Sequence, residues 1–197
     1  MSIRTKFRCF IAAAFVAGLC SLQAQAPPSS ALDLHGQPVH QLAGPGDRIV
    51  VLIFAASDCP ISNRAIPELN RITHEFAGKP VQFWWVYPNH EDSTAAVAEH
   101  RRAYSIETKA LRDPAQALVA WAHATVTPEA AVFLVDGAQF HEVYKGRIDD
   151  QYISLGRERP QVTRHDLEVA INAALDGKTV PQPGGPSIGC SIVFLQK

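Results

Sequence analysis

The sequence has no run of lysine and arginine and no basic stripe interleaved with aromatic residues. Its 18 Lys+Arg stand against 19 Asp+Glu, a formal net charge of -1. A nucleic-acid surface needs a concentrated basic footprint, so that partner class is set aside. The eight histidines are His35, His40, His74, His90, His100, His123, His141 and His165. No two fall at i, i+2 or i, i+4, so no local ligand pair exists and no metal or other cofactor is assigned. Each is read as a surface or core-satisfied histidine. The sequence contains no internal repeat and no sign of a second domain. Its longest apolar run, residues 9–22, falls short of the ~20 residues of a comfortable membrane span. Membrane contact is therefore expected only through that segment, if it stays uncleaved. Cysteine is scarce as well, with 4 in 197 residues.

What surrounds the apolar run gives it a meaning. Arg4, Lys6 and Arg8 precede it, and Ala24-Gln25-Ala26 follows with the small-x-small pattern of a signal-peptidase site. Residues 1–26 are read as a signal peptide, with an uncleaved anchor as the alternative. A lipoprotein reading is disfavoured because the bulky Leu19 directly precedes Cys20. Cleavage after Ala26 removes three bases and leaves 15 against 19 acids. It also removes Cys9 and Cys20, so the exported chain keeps Cys59 and Cys190. Disulfides persist in exported compartments, which makes these two candidates for a pair.

The rest of the chain alternates strand and helix patterns. Residues 27–31 read as a linker, 32–179 as one domain, and 180–197 as a Pro/Gly-rich tail carrying Cys190. Residues 49–55 and 81–87 are apolar runs of the kind buried on both faces of a sheet. Apolar residues recur at helical spacing over 61–76, and 94–104 reads as a polar amphipathic helix. A short segment at 110–111 precedes a predicted helix at 114–124. Residues 130–135 and 140–145 form a predicted hairpin about Asp136-Gly137. Residues 163–175 read as the last helix, with Thr163 as N-cap and Gly177 just past its end. The alternation argues for an α/β fold with a late antiparallel edge.

Cys59 falls where a buried strand hands over to a helix. Pro60 suits the first helical turn, which makes Cys59 the expected N-cap. Free backbone N–H groups and the helix dipole at that position favour thiolate over thiol. The alternative is that Cys59 is a small buried hydrophobe, the usual state of a lone cysteine.

Several runs together resemble the thioredoxin superfamily. Val50 to Ala55 followed by Ser57-Asp58-Cys59-Pro60 resembles its active-site strand, turn and helix. Pro67 matches the proline that kinks that helix, and Leu32 to Val39 is similar to the opening of exported redoxins of the TlpA and alkyl-hydroperoxide-reductase groups. Cys59-Pro60-Ile61-Ser62-Asn63-Arg64, Tyr144 to Asp150, Thr163 to Leu167 and Gly189-Cys190 resemble one bacterial redoxin subgroup. The resemblance implies a thioredoxin-like fold, a central mixed sheet flanked by helices, and thiol–disulfide exchange with Cys59 as nucleophile. It implies that Pro128, after Thr127, is the family's cis-proline. Pro60, Ser62, Thr127 and Pro128 would then face the partner, a thiol or disulfide of another exported protein.

Two departures from the family patterns bear on activity. Ser62 stands where most thioredoxins carry a second cysteine, so a mixed disulfide at Cys59 needs another resolving thiol, for which Cys190 is the candidate. Ala56 and Leu52 stand where peroxiredoxins carry a hydroxyl residue and a proline, which counts against peroxide reduction. An atypical peroxide reductase and a copper-handling or thiol-tethering module without turnover stay open as alternatives. A copper site would join both cysteines to a distant histidine. Arg147, Arg157, Arg159 and Arg164 interleave with Asp149, Asp150, Glu158 and Asp166, a pattern read as a structural ion-pair network. Asp58 and Glu68 are candidate proton acceptors for Cys59.

Overall fold

The computed structural model describes residues 26–195. Its centre is β1, Ile49–Phe54, six consecutive residues without solvent exposure. Side chains alternate across a strand, so an uninterrupted apolar run must be covered on both faces. Ile49, Val51 and Ile53 point into one core and Val50, Leu52 and Phe54 into the other. β1 runs parallel to β2, Val81–Tyr87, and antiparallel to β5, Glu129–Asp136. With β3, Lys109–Arg112, and β6, Gln139–Gly146, they form a five-stranded mixed sheet of order β3-β2-β1-β5-β6.

Helices α1, Pro60–Glu75, and α4, Asp166–Leu175, cover one face through Ile66, Leu69, Ile72, Leu167 and Ile171. Helix α2, Thr94–Ala103, adds Val97 to the same core. The opposite face is covered by α3, Ala117–Trp121, with Leu118, Val119 and a Trp121 ring stacked 4.1 Å from Phe133. This is the mixed sheet flanked by helices that the resemblance implies.

Three local differences from the sequence reading have physical causes. The helix expected at 114–124 is only α3, because Gln116 takes a left-handed backbone, φ 54°, and cannot extend it. The Asp113 carboxylate instead accepts the N–H groups of Ala117, Leu118 and Val119 at 2.9, 2.8 and 3.0 Å. Thr163 is not an N-cap: α4 starts at Asp166, and Thr163 donates its N–H and hydroxyl to Asp150 at 2.8 and 2.6 Å. Gly177 does end that helix, with φ 67°. Two small pairings were not anticipated. β7, Tyr152–Ser154, pairs with β8, Arg157–Glu158. β4, Val126–Thr127, pairs antiparallel with β9, Cys190–Ser191, in the C-terminal tail.

The expected signal peptide, Cys9 and Cys20 included, lies outside the described residues apart from Ala26. Among the described residues no helix is long and apolar enough to cross a membrane.

Candidate redox site

The site is built on the junction of β1 and α1. Residues Ala55 and Ala56 carry the buried strand to the turn Ser57-Asp58, and Cys59 caps the helix in extended backbone, φ -83° and ψ 112°. The Ser62 N–H donates to Cys59 Sγ at 3.4 Å, and Pro60 occupies the first turn where no N–H is needed. The sulfur thus lies over the positive end of a 16-residue helix. Cys59 is 2% exposed, so it is also a buried group, and both sequence readings describe part of its surroundings. Ser62 is fully buried beneath it, its hydroxyl without a hydrogen-bond partner. Pro67 lies inside α1.

Three segments distant in sequence converge on this sulfur. The Thr127–Pro128 peptide bond is cis, as the resemblance implies, and the Thr127 carbonyl oxygen lies 3.2 Å from Cys59 Sγ. Cys190 stands opposite Thr127 in the β4–β9 pair. The sulfurs of Cys59 and Cys190 are joined as a disulfide, with Cα atoms 6.2 Å apart and a separation of 131 positions in sequence. That Cα–Cα distance is within the range a disulfide spans. Gly189 makes the close approach possible: a Cβ there would collide with the Thr127 carbonyl. The Glu129 carboxylate ties both strands together, accepting the Thr125 N–H at 2.8 Å and the Ser187 hydroxyl at 2.9 Å. The residues singled out from sequence, Cys59, Cys190, Pro60, Ser62, Thr127 and Pro128, therefore lie around one point. Beside the disulfide opens a cleft of about 640 Å³.

A polar network behind the cysteine went unread in the sequence. The Ser57 hydroxyl donates to Asp92, which is 3% exposed and keeps one carboxylate oxygen without a partner. Burial pushes the Asp92 carboxyl up from its ordinary value, against the bonds from Ser57. Asn63 donates to the Ser57 carbonyl at 3.2 Å and stands 2.8 Å from His100 Nε2. His100 Nδ1 is 2.9 Å from the Tyr87 hydroxyl. Burial lowers the His100 pKa, which favours the neutral ring. A ring protonated on Nε2 satisfies both neighbours, donating to Asn63 and accepting from Tyr87. Asn63 falls in the motif around Cys59, but nothing in the sequence indicates that it links the turn to α2.

Other candidate residues are engaged elsewhere. Glu68 does not serve Cys59: it accepts from Arg71 and His165, each at 2.8 Å. Asp58 is exposed at the turn. The late basic cluster forms ion pairs, Arg147–Asp166 at 2.6 Å, Arg164–Asp166 at 3.2 Å and Arg159–Asp150 at 3.2 Å. Among the described residues one set of possible metal ligands converges, Glu68, His165 and Glu168, and the Arg71 guanidinium already binds both carboxylates. No third such ligand joins Cys59 and Cys190 among the described residues.

Comparison with known proteins covers nearly the whole chain. The solved structure of an uncharacterized conserved protein from Geobacillus kaustophilus is 27% identical, with a TM-score of 0.75 over 91% of this chain and 95% of that one. A hypothetical protein from Sinorhizobium meliloti is 23% identical, with a TM-score of 0.69 over 87% and 97% of the two chains. A thiol-disulfide oxidoreductase from Bacteroides fragilis shares the fold at 14% identity, with a TM-score of 0.51 over 61% and 89%. No curated protein matches the chain. The model of the AhpC/TSA family matches residues 22–140, which takes in Cys59 and Pro128 and stops before Cys190. The chain is a member of the AhpC/TSA family, with a thioredoxin-like fold.

Proposed function

We propose that the protein is an exported thiol–disulfide oxidoreductase in which Cys59 is the nucleophile and Cys190 the resolving thiol. One observation carries the reading: two cysteines separated by 131 positions meet at the N-terminus of α1, beside the cis-proline loop. A disulfide made only for stability has no need of a helix N-terminus, whereas a nucleophilic thiolate gains from one. In the reductive direction the Cys59 thiolate attacks a partner disulfide, forming a mixed disulfide and releasing one partner thiolate. The Cys190 thiolate then attacks Cys59 Sγ and releases the second. Two electrons and two protons pass to the partner, and the Cys59–Cys190 disulfide remains. The same steps reversed oxidise a partner dithiol. The second thiol absent at Ser62 is supplied from the tail.

The alternatives find less support. Peroxide reduction lacks a hydroxyl residue three positions before Cys59, where Ala56 is buried, and the Ser57 hydroxyl is bonded to Asp92. Copper handling lacks a third ligand beside the two sulfurs among the described residues. A partner thiol or disulfide needs only the cleft, the backbone at Thr127 and the cysteine pair, oxidised for a thiol and reduced for a disulfide. Export rests on the basic start, the apolar run and Ala24-Gln25-Ala26, and predicts a chain beginning at Pro27 when intact mass is measured on protein from its host.

The enzymatic reading is tested by trapping. A Cys190→Ala variant mixed with a disulfide-bonded peptide should accumulate a mixed disulfide at Cys59, since nothing resolves it. A Cys59→Ala variant should accumulate far less. Equal trapping by both variants, or none by either, would leave a structural disulfide only.

A further inference from the structure

We infer that Gln116 is a positioning residue that holds Cys190 over Cys59 by binding the backbone that follows β9; this deepens the exchange reading above and rests on it. Gln116 precedes α3 in left-handed backbone, φ 54° and ψ 31°, a conformation that a residue with a Cβ adopts only under constraint. Capping does not explain it, because the Gln116 side chain makes no cap bond and Asp113 satisfies the helix N–H groups.

The constraint is explained by where the amide goes. Gln116 Nε2 donates to the Val193 carbonyl at 2.8 Å, and Gln116 Oε1 accepts the Leu195 N–H at 3.0 Å. One side-chain amide thus pairs with the carbonyl and the N–H of two tail residues, as the backbone of a neighbouring strand would, while a longer bond from Nε2 to the Pro88 carbonyl at 3.5 Å fixes it to the domain. Gln116 is 8% exposed and both bonds are half-buried, so competing water is partly excluded.

Little else fixes this end of the tail. β9 has two residues, and the ladder continues only through the Ile192 N–H to the Thr125 carbonyl at 3.0 Å. The Ile192 side chain is buried, but Val193, Phe194 and Leu195 are 79%, 57% and 53% exposed, so apolar burial does not anchor them. On the other side of Cys190 the tail is held by Ser187 on Glu129. Cys190 therefore sits between two clamps, and Gln116 is the one beyond β9.

This position gives Gln116 a role in the reaction without contact with either sulfur. Closing the disulfide from the dithiol requires Cys190 to be docked against Cys59. Holding the tail raises the effective concentration of Cys190 there. The relevant balance is protein disulfide plus two glutathione in exchange for protein dithiol plus glutathione disulfide, in which two electrons and two protons move to the protein. Removing both bonds to the tail should shift that balance toward the dithiol by roughly ten-fold, from the net worth of two half-buried hydrogen bonds.

The experiment equilibrates the full chain with glutathione buffers of graded ratio, quenches it with an alkylating agent and counts free thiols by mass. Gln116→Ala should show the shift. Leu195→Pro removes the N–H that Gln116 Oε1 accepts while leaving α3 untouched, so it should shift the balance the same way, by less. The double variant should shift it by less than the two effects combined, since both act on one contact. On a Cys190→Ala background, Gln116→Ala should leave the pH midpoint of Cys59 alkylation unchanged, because Gln116 acts through the tail. A balance within two-fold of the parent in both single variants overturns the inference. So does a lowered melting temperature with an unmoved balance, the mark of a purely structural residue. A parent chain that forms no Cys59–Cys190 disulfide at any ratio would overturn the exchange reading itself, and this inference with it.

Discussion

Cys59 experiences two opposed influences. Its 2% exposure penalises the thiolate, while the α1 N-terminus and the Ser62 N–H favour it. The Thr127 carbonyl, 3.2 Å from Sγ in the disulfide form, can accept only from a protonated thiol and adds to that penalty if reduction leaves it in place. The helix terminus acts directly at the sulfur, so it should prevail. The expected result is a Cys59 pKa below the ~8.5 of a free thiol. Alkylation rate against pH on a Cys190→Ala variant measures it, and a midpoint at or above the free value would return Cys59 to the role of buried hydrophobe. Much at this scale was legible in the sequence. A strand–turn–Cys–Pro–helix pattern states where Cys59 sits, and the resemblance named Pro128. Gln116 and Gly189 were not legible. Their roles depend on Val193, Leu195 and Thr127, which approach them only in three dimensions. Asp92 was hidden for the same reason, since it binds Ser57 across 35 positions.

Elements with a strong hydrophobic period are legible in the sequence, and those set by side-chain bonds are not. β1, β2 and α1 follow from runs and spacing that few other structures accommodate. The start of α4 does not, because Asp150 captures Thr163 and Arg164 before the helix begins. Burial opposes ionisation of Asp150, but the Thr163 hydroxyl, the N–H groups of Thr163 and Arg164 and the Arg159 guanidinium outweigh it, holding its carboxyl down at about 2. The ordinary value is 3.8, so the folded state binds this proton less readily than the unfolded chain. Its contribution to stability is then complete above about pH 4 and lost as pH falls toward 2. Asp150→Asn should unfold more readily than the parent at neutral pH and lose part of the parent's pH dependence in that window. Denaturant midpoints at pH 6, 4, 3 and 2 measure both. Parallel curves for the two proteins would mean that Asp150 does not titrate with folding. β4 and β9 were the least legible elements, two residues each and paired across most of the chain, with no period to detect.

Across the whole molecule the disulfide links the first turn of α1 to the tail, closing a loop of 131 positions around most of the sheet. In the chain-entropy model such a loop restricts the unfolded chain by about 5 kcal/mol. A domain of this size gains roughly 2–4 °C in melting temperature per kcal/mol, so the oxidised protein should melt roughly 10 °C or more above the reduced one. The reduced state should keep its core, because the tail adds only Ile192 and the half-buried Val180 to the two apolar clusters flanking β1. Reduction is therefore expected to loosen residues 187–195 while leaving the five-stranded sheet formed, as a switchable tail requires. Thermal unfolding of the oxidised protein, the reduced protein and Cys190→Ala measures the first effect. Hydrogen exchange on the same three samples measures the second, with lost protection expected at Ile192 and Leu195 and retained protection through β1 and β2. Coincident melting of all three would show that the bond does not restrain the unfolded chain. Lost protection across β1 would show that the disulfide supports the core rather than a detachable segment, and Cys190 could not then leave and return during exchange.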